Sequence, residues 1–377
     1  MSGEKKSGNK IVPDVERTAM KVMQGVEGGH EGLPGFVRKV NEGSFTAKRK
    51  LTTEEYVKGV LSGDRVQLAR AITLIESNAP HHFEQAQEVV KALLPHSGKS
   101  IRVGISGVPG AGKSTLIEAL GNYLTGKSHR VAVTAVDPSS SVTGGSIMGD
   151  KTRMEKLAAD PNAFVRPSPS GGTLGGVTRK TRETIILFEA AGYDVILVET
   201  VGVGQSEITV RSMVDFFLLV LVSGAGDELQ GIKKGVVEIA DAILVNKADG
   251  DNKPAAMRAK NEYQQALHYL QPATPGWTTQ AVTASSMTGE GVPELWELIG
   301  KFTSTTEASG FFDERRRIQS RDWIHALVAD YLTSLFNSHP RIKEILPDLE
   351  AAVMNGTLPA TTAAMKLLEV FGGEGER

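Results

Sequence analysis

The sequence predicts an α/β protein built on a mainly parallel sheet, with a helical segment before it and helices after it. Three observations carry that expectation. From Ser100 onward, short apolar β-branched runs alternate with helical stretches. Such runs, apolar throughout, belong to a parallel sheet covered on both faces. A glycine-rich turn joins the first run to a helix, and capping signals mark short helices upstream of it.

Taken in order, residues 1–50 are rich in Gly, Lys and Glu and lack apolar periodicity. They read as a flexible N-terminal arm with one short helix near Val15 to Met23. Thr52 and Glu55 spell a capping box, and Asp64 with Gln67 repeats it before RVQLARAITLIES. A third helix, FEQAQEVVKALLP, stops at Pro95, which gives a helical domain over 51–98. The strands follow as IRVGISG, RVAVTAVD, FVRPS, DVILVET, DFFLLVLVS, AILVNKAD and QAVTASS, with helices STLIEALGNYL and TRETIILFEAAG between them. This block is assigned 99–305. TSTTEASG after Phe302 reads as a linker. The remainder, 306–377, reads as helical, with Ile324, Leu327, Val328, Tyr331 and Leu335 forming an apolar stripe that ends before Pro340.

Bulk properties narrow the function. The chain has 377 residues, 40% hydrophobic and 23% charged, as in ordinary globular proteins. A net charge of −2 gives no reason to expect nucleic acid or an anionic membrane as partner. The absence of cysteine removes disulfides, thiolate metal sites and cysteine nucleophiles. No apolar run reaches transmembrane length, and the N-terminus resembles neither a signal nor a transit peptide, so the expected location is cytoplasmic.

Gly107-Val108-Pro109-Gly110-Ala111-Gly112-Lys113-Ser114 fits the phosphate-loop pattern G-x-x-x-x-G-K-[ST], between a strand and a helix as the pattern requires. Backbone N–H groups from 110 to Thr115 can converge on phosphate oxygens at the helix N-terminus. Lys113 is expected to reach the β and γ phosphates, and Ser114 to ligate Mg²⁺. Asn246-Lys247-Ala248-Asp249 closes a later strand as N-K-x-D. Its chemistry selects guanine. The Asp249 carboxylate accepts from both N1–H and the 2-amino group, neither of which adenine offers, and Lys247 can lie along the base. Ser285-Ser286-Met287 resembles the S-A-x loop that meets guanine O6 through a backbone N–H, with Ser286 in place of the usual Ala. Together these motifs specify a P-loop GTPase fold that binds GTP and GDP.

Glu199 ends the strand DVILV, where most small GTPases carry D-x-x-G and this chain carries E-T-V-G. A carboxylate there commonly holds Mg²⁺, and Gly202 can bond the γ-phosphate by its N–H. Asp137 ends VAVTAV, and Asp150 lies in SVTGGSIMGDKTRM. Either is placed to join the metal shell or to orient the attacking water; a turn residue and a solvated loop charge are the plainer readings. Gln205 invites comparison with a water-positioning glutamine. SPSGGTLGGVTRKTRET reads as a mobile loop feeding a basic helix start, with Arg179, Lys180 and Arg182.

Residues 222–235, VSGAGDELQGIKKG, place charge in a strand-to-helix crossover. Asp227 and Gln230 spell a capping box ahead of a stripe formed by Leu229, Ile232, Val236 and Ile239. Gly231 and Gly235 inside that stripe each cost about 1 kcal/mol relative to Ala, which argues against a helix meant only to pack.

GVPGAGKST, DPSSSVTGGSIMGDKTRM, RPSPSGGTLGG, ETVGVGQSE, GAGDELQGIKKG and NKAD, in this order, resemble one family. It is the methylmalonyl-CoA mutase-associated GTPases of the G3E class, the MeaB/ArgK/MMAA-like cobalamin chaperones, known also as ArgK-type transport kinases. The likeness runs over about 51–305 and fades toward both ends. It implies a GTPase that gates adenosylcobalamin delivery from an adenosyltransferase to a B12-dependent mutase, and protects or reactivates the mutase. Adenosylcobalamin would belong to the mutase and not be bound tightly here. The resemblance also implies a homodimer through the C-terminal helices. It puts metal and switch I roles on Asp137 and Asp150, and the Walker-B role on Glu199. It makes 222–235 an additional switch, with Asp227, Gln230 and Lys233 at functional positions, so that this stretch becomes a helix ordered when the mutase docks. The alternatives are a nucleotide-dependent kinase of a transport protein, for which the sequence shows no acceptor site, and a metal-insertion GTPase, against which the lack of Cys and of a His-rich tract counts.

Overall fold

A computed structural model of the protein describes residues 51–136, 154–166, 174–200, 206–223 and 234–373. The expected N-terminal arm and its short helix lie outside the described residues. So do Asp137, Asp150, Gly202, Gln205, Asp227, Gln230 and Lys233.

Three helices open the described chain: α1 (Thr53–Leu61), α2 (Arg65–Glu76) and α3 (Pro80–Leu93). The first capping box closes as expected. Glu55 N donates to Thr52 Oγ1 at 3.3 Å and Thr52 N to Glu55 Oε2 at 2.9 Å. The second closes by half. Asp64 Oδ1 accepts from Val66 N and Gln67 N, but Asp64 N already donates to Gly59 O at 3.2 Å. Gln67 packs instead on Gly59, where an added Cβ would lie 2.5 Å from Gln67 Cβ. The third helix starts at Pro80, three residues before the expected Phe83, because Pro is preorganised for a first helical turn.

The sheet follows: β1 (Ile101–Gly107), α4 (Lys113–Gly126), β2 (Val131–Val136), α5 (Glu155–Ala159), β3 (Ala163–Arg166), α6 (Leu174–Ala190), β4 (Val195–Thr200), α7 (Ser206–Arg211), β5 (Phe216–Val222), α8 (Lys234–Glu238), β6 (Ala242–Asn246), α9 (Lys253–Leu267) and β7 (Gln280–Thr283). The spatial order is β3-β2-β4-β1-β5-β6-β7, and every pair is parallel. Side chains alternate between two apolar clusters. Phe217, Leu219 and Leu221 of β5 face one with Leu68, Ile72 and Phe188. Phe216, Leu218 and Val220 face the other with Leu116, Leu120 and Phe302. Both faces are dry, which is why these strands carry no polar alternation. Helices α1 to α3 share one core with the sheet rather than forming a core of their own.

The C-terminal region holds α10 (Val292–Ala308), α11 (Phe311–Ser338), α12 (Pro340–Met354) and α13 (Ala360–Gly372). The linker expected at 303–310 is helix as far as Ala308. Its hydroxyls bond back one turn, from Thr303 to Ile299 O, Thr305 to Lys301 O and Thr306 to Phe302 O, so polarity there does not break the helix. The first turns of α11 grip the amino-edge of the sheet. Arg316 pairs with Asp215 at 2.7 and 2.8 Å, and Gln319 Nε2 donates to Val214 O at 2.8 Å and to Arg211 O at 3.4 Å. Farther along, Ile324, Val328, Tyr331 and Leu335 are exposed. Arg179, Lys180 and Arg182 lie within α6 and are used internally. Arg179 lies over the Phe83 ring, Lys180 donates to Asn78, and Arg182 donates to Ser212 and lies 4.8 Å over the Trp323 ring.

Candidate functional site

The carboxyl ends of β1, β4 and β6 meet at one edge of the sheet, the edge where open α/β folds bind ligands. Gly107 ends β1 so close to β5 that a Cβ would lie 2.0 Å from Val220 O. The turn continues through Gly110, at φ 77° with open space beside it, and Gly112, at φ 85°, which caps α4. Only glycine takes these backbone angles without strain. The first turn of α4, Lys113 to Thr115, has N–H groups with no acceptor inside the helix.

Lys113 is buried, and its Nζ donates to Gly107 O at 2.8 Å and Val108 O at 3.3 Å. Burial pulls its pKa below the usual lysine value, and the carboxylates of Glu199 and Glu207 partly offset that. The ammonium is therefore costly where it lies, and phosphate oxygens would relieve it. Ser114 Oγ donates to Glu199 Oε1 at 2.9 Å. Glu199 is buried at the end of β4, in register with Ile105 of β1 and Ala135 of β2. Beside it Thr200 Oγ1 donates to Ser106 Oγ at 3.0 Å. A hydroxyl and a carboxylate in contact are the hard oxygen donors that suit Mg²⁺. Glu207, buried in the first turn of α7, was not expected here. Its sequence signal is a carboxylate just after ETVGVGQ, which reading for D-x-x-G passes over.

The residues expected to read the base are joined to the phosphate loop by hydrogen bonds. Asn246 Nδ2 donates to Ala111 O at 2.8 Å, and Asn246 Oδ1 accepts from Ser286 N at 3.2 Å and Ser286 Oγ at 2.8 Å. Gly112 is required by this bridge as well, since a Cβ there would lie 2.8 Å from Asn246 Nδ2. Ser285 Oγ donates to the Asp249 carboxylate and accepts from Thr288 N at 3.1 Å. Lys247 is exposed and holds φ 58°, with its carbonyl bonded by Asn252 Nδ2 at 2.6 Å. A left-handed lysine costs energy, and such strain concentrates at working sites. Its stem passes Gly112, whose added Cβ would come within 4.0 Å of Lys247 Cε. Met287 is exposed beside them. The described site residues thus gather into one assembly around 107–115, 199, 246–249 and 285–287.

The family model for "Methylmalonyl Co-A mutase-associated GTPase MeaB" matches residues 68–341. The chain belongs to this family. A "Probable GTPase" of Mycobacterium tuberculosis is 51% identical over 85% of this chain and 95% of the relative. The "Methylmalonic aciduria type A homolog, mitochondrial" of Mus musculus is 44% identical over 86% of this chain and 80% of the relative. Among solved structures, an LAO/AO transport system kinase matches with TM-score 0.70 and 36% identity, covering 86% of this chain and 98% of that one. As a MeaB-family protein the chain is a P-loop GTPase, and the parallel sheet with its phosphate loop is the fold that this membership requires. The family match reaches from α2 into the start of α12, so it includes the part of α11 that grips the sheet.

Proposed function

We propose that the protein is a GTP-hydrolysing chaperone for a B12-dependent acyl-CoA mutase of the methylmalonyl-CoA mutase type. It gates adenosylcobalamin delivery to the mutase and protects or reactivates it. The observation that carries this reading is the Asn246 bridge from Ala111 to Ser286, which joins phosphate and base sites in a chain of the mutase-associated family. Lys113 and the N–H groups of 110–115 neutralise the phosphates, and Asp249 reads the guanine edge. Ser114 and Glu199 would hold Mg²⁺, with Asp137 and Asp150 as further ligands or water-orienting groups. When bound, the ion would supply positive charge against the phosphates. Gln205 orients water. Asp227, Gln230 and Lys233 form a switch that senses nucleotide and partner, and a lysine there neutralises developing charge as an arginine finger does.

The partner set is the mutase, an adenosyltransferase upstream of it, and a second copy of this chain seated on the exposed stripe of α11. A cytoplasmic location fits; no helix among the described residues is long and apolar enough to cross a membrane.

The test is GTP turnover by the purified protein, alone and with a B12-dependent mutase. Acceleration by the mutase, absent with ATP and lost in Lys233→Ala, is expected. No acceleration by any such mutase would remove the chaperone reading. A second reading, phosphoryl transfer to a transport protein, follows from the words "transport system kinase" attached to the solved relative. It requires labelled phosphate to appear on a protein acceptor instead of in solution.

A further inference from the structure

We propose that the Ser286 hydroxyl is a positioning group of the guanine site: it keeps Asn246 satisfied when the Ser286 backbone N–H turns to the base. The inference rests on the guanine reading above and adds to it a role for the Ser286 side chain. Asn246 is 1% exposed, so its polar atoms have no recourse to water. Its amide orientation is fixed by its neighbours. Nδ2 faces the Ala111 carbonyl, and Oδ1 faces two donors, both from Ser286. Reversing the amide would set donor against donor on one side and oxygen against oxygen on the other.

The two donors to Oδ1 differ. The hydroxyl is at 2.8 Å and the backbone N–H at 3.2 Å. The backbone N–H of this loop is also the group expected to meet guanine O6, and one N–H cannot serve both acceptors at full strength. If it swings to the base, an alanine at this position would strand a buried amide oxygen, the costly case among hydrogen-bond changes. The serine hydroxyl rotates freely, keeps its bond to Oδ1, and lets the N–H leave. Asn246 then holds Ala111 throughout, so the phosphate loop keeps its position while the base enters.

The experiment titrates GTP, ITP, 2-aminopurine riboside triphosphate and ATP into the full chain, and the first three into Ser286→Ala and Ser286→Thr. GTP and ITP carry O6; 2-aminopurine does not. Ser286→Ala is expected to weaken GTP and ITP about tenfold and to leave 2-aminopurine riboside triphosphate within about twofold. Ser286→Thr, which keeps the hydroxyl, is expected to restore GTP and ITP. Equal weakening of all three nucleotides by Ser286→Ala would show a merely structural loop residue and overturn the proposal. So would unchanged binding of all three. A natural chain that binds ATP as tightly as GTP would overturn the guanine reading itself, and this arm separates that failure from failure of the Ser286 role alone.

Discussion

Ser114 and Glu199, 85 positions apart in sequence, are joined by a 2.9 Å hydrogen bond on the buried floor of the site. The bond brings together the two side chains that would share an ion, one from the phosphate loop and one from the neighbouring strand. Glu199→Gln keeps the shape and removes the charge. It is expected to lower Mg²⁺-dependent GTP hydrolysis by about 10² or more, with GTP binding in chelator largely retained. Hydrolysis rates and binding titrations at matched Mg²⁺ check this.

Asp249 has one oxygen held by Ser285 and is half-buried. Asp249→Asn exchanges an acceptor for a donor. Preference for GTP over XTP is expected to reverse, because xanthine presents a carbonyl where guanine presents an amine. The loss for GTP should be about 10² or more, given what an unpaired buried polar group costs a nucleotide site. Competition binding with GTP, XTP and ATP measures it.

Gly112→Ala meets two obstacles, a left-handed φ of 85° and a Cβ 2.8 Å from Asn246 Nδ2. A destabilisation of about 1–3 kcal/mol is expected from the strain. Nucleotide affinity should fall further than that, because the Asn246 bridge is displaced. Unfolding in denaturant and nucleotide titration separate the two effects.

Glu189 gives a pH dependence. Burial would raise its pKa, but the Arg102 charge and bonds, with Ser100 and Gly98, outweigh burial and hold it below the ordinary 4.5. A carboxylate depressed on folding adds stability that is present above its unfolded value and lost as pH falls through the folded one. Glu189→Gln is expected to cost about 3 kcal/mol at pH 7, leaving Arg102 partly buried and unpaired. The gap between variant and natural protein should narrow below pH 4.5. Chemical denaturation at several pH values tests the sign.

Val328→Asp with Tyr331→Asp places charge on the exposed face of α11. If a second copy covers that face, sedimentation should show half the mass, with nucleotide affinity unchanged.

The sheet was legible because its signal is local. Each strand is an apolar run bounded by turn residues, and all seven expected strands are present in parallel register. The phosphate loop and NKAD were legible for the same reason: their chemistry needs fixed residues at fixed spacing. What the sequence concealed depends on long-range neighbours. Gly59 took the N–H that Gln67 was expected to meet, and only the packing of α1 on α2 reveals this. The Thr-rich end of α10 looked like a linker because hydroxyls that bond back along a helix read the same as hydroxyls in solvent. Glu207 is a single carboxylate without spacing of its own, and its charge acts on Lys113 across the fold, a relationship that no local pattern displays.

Gln319 bonds the last carbonyl of α7, and it is also part of a rod that continues for 19 residues to Ser338. At about 1.5 Å per residue that rod is roughly 28 Å long. A tilt of about 5° at Gln319 would therefore sweep its tip by about 2.5 Å. A tilt too small to notice at Gln319 becomes, at the far end of α11, the width of a side-chain contact.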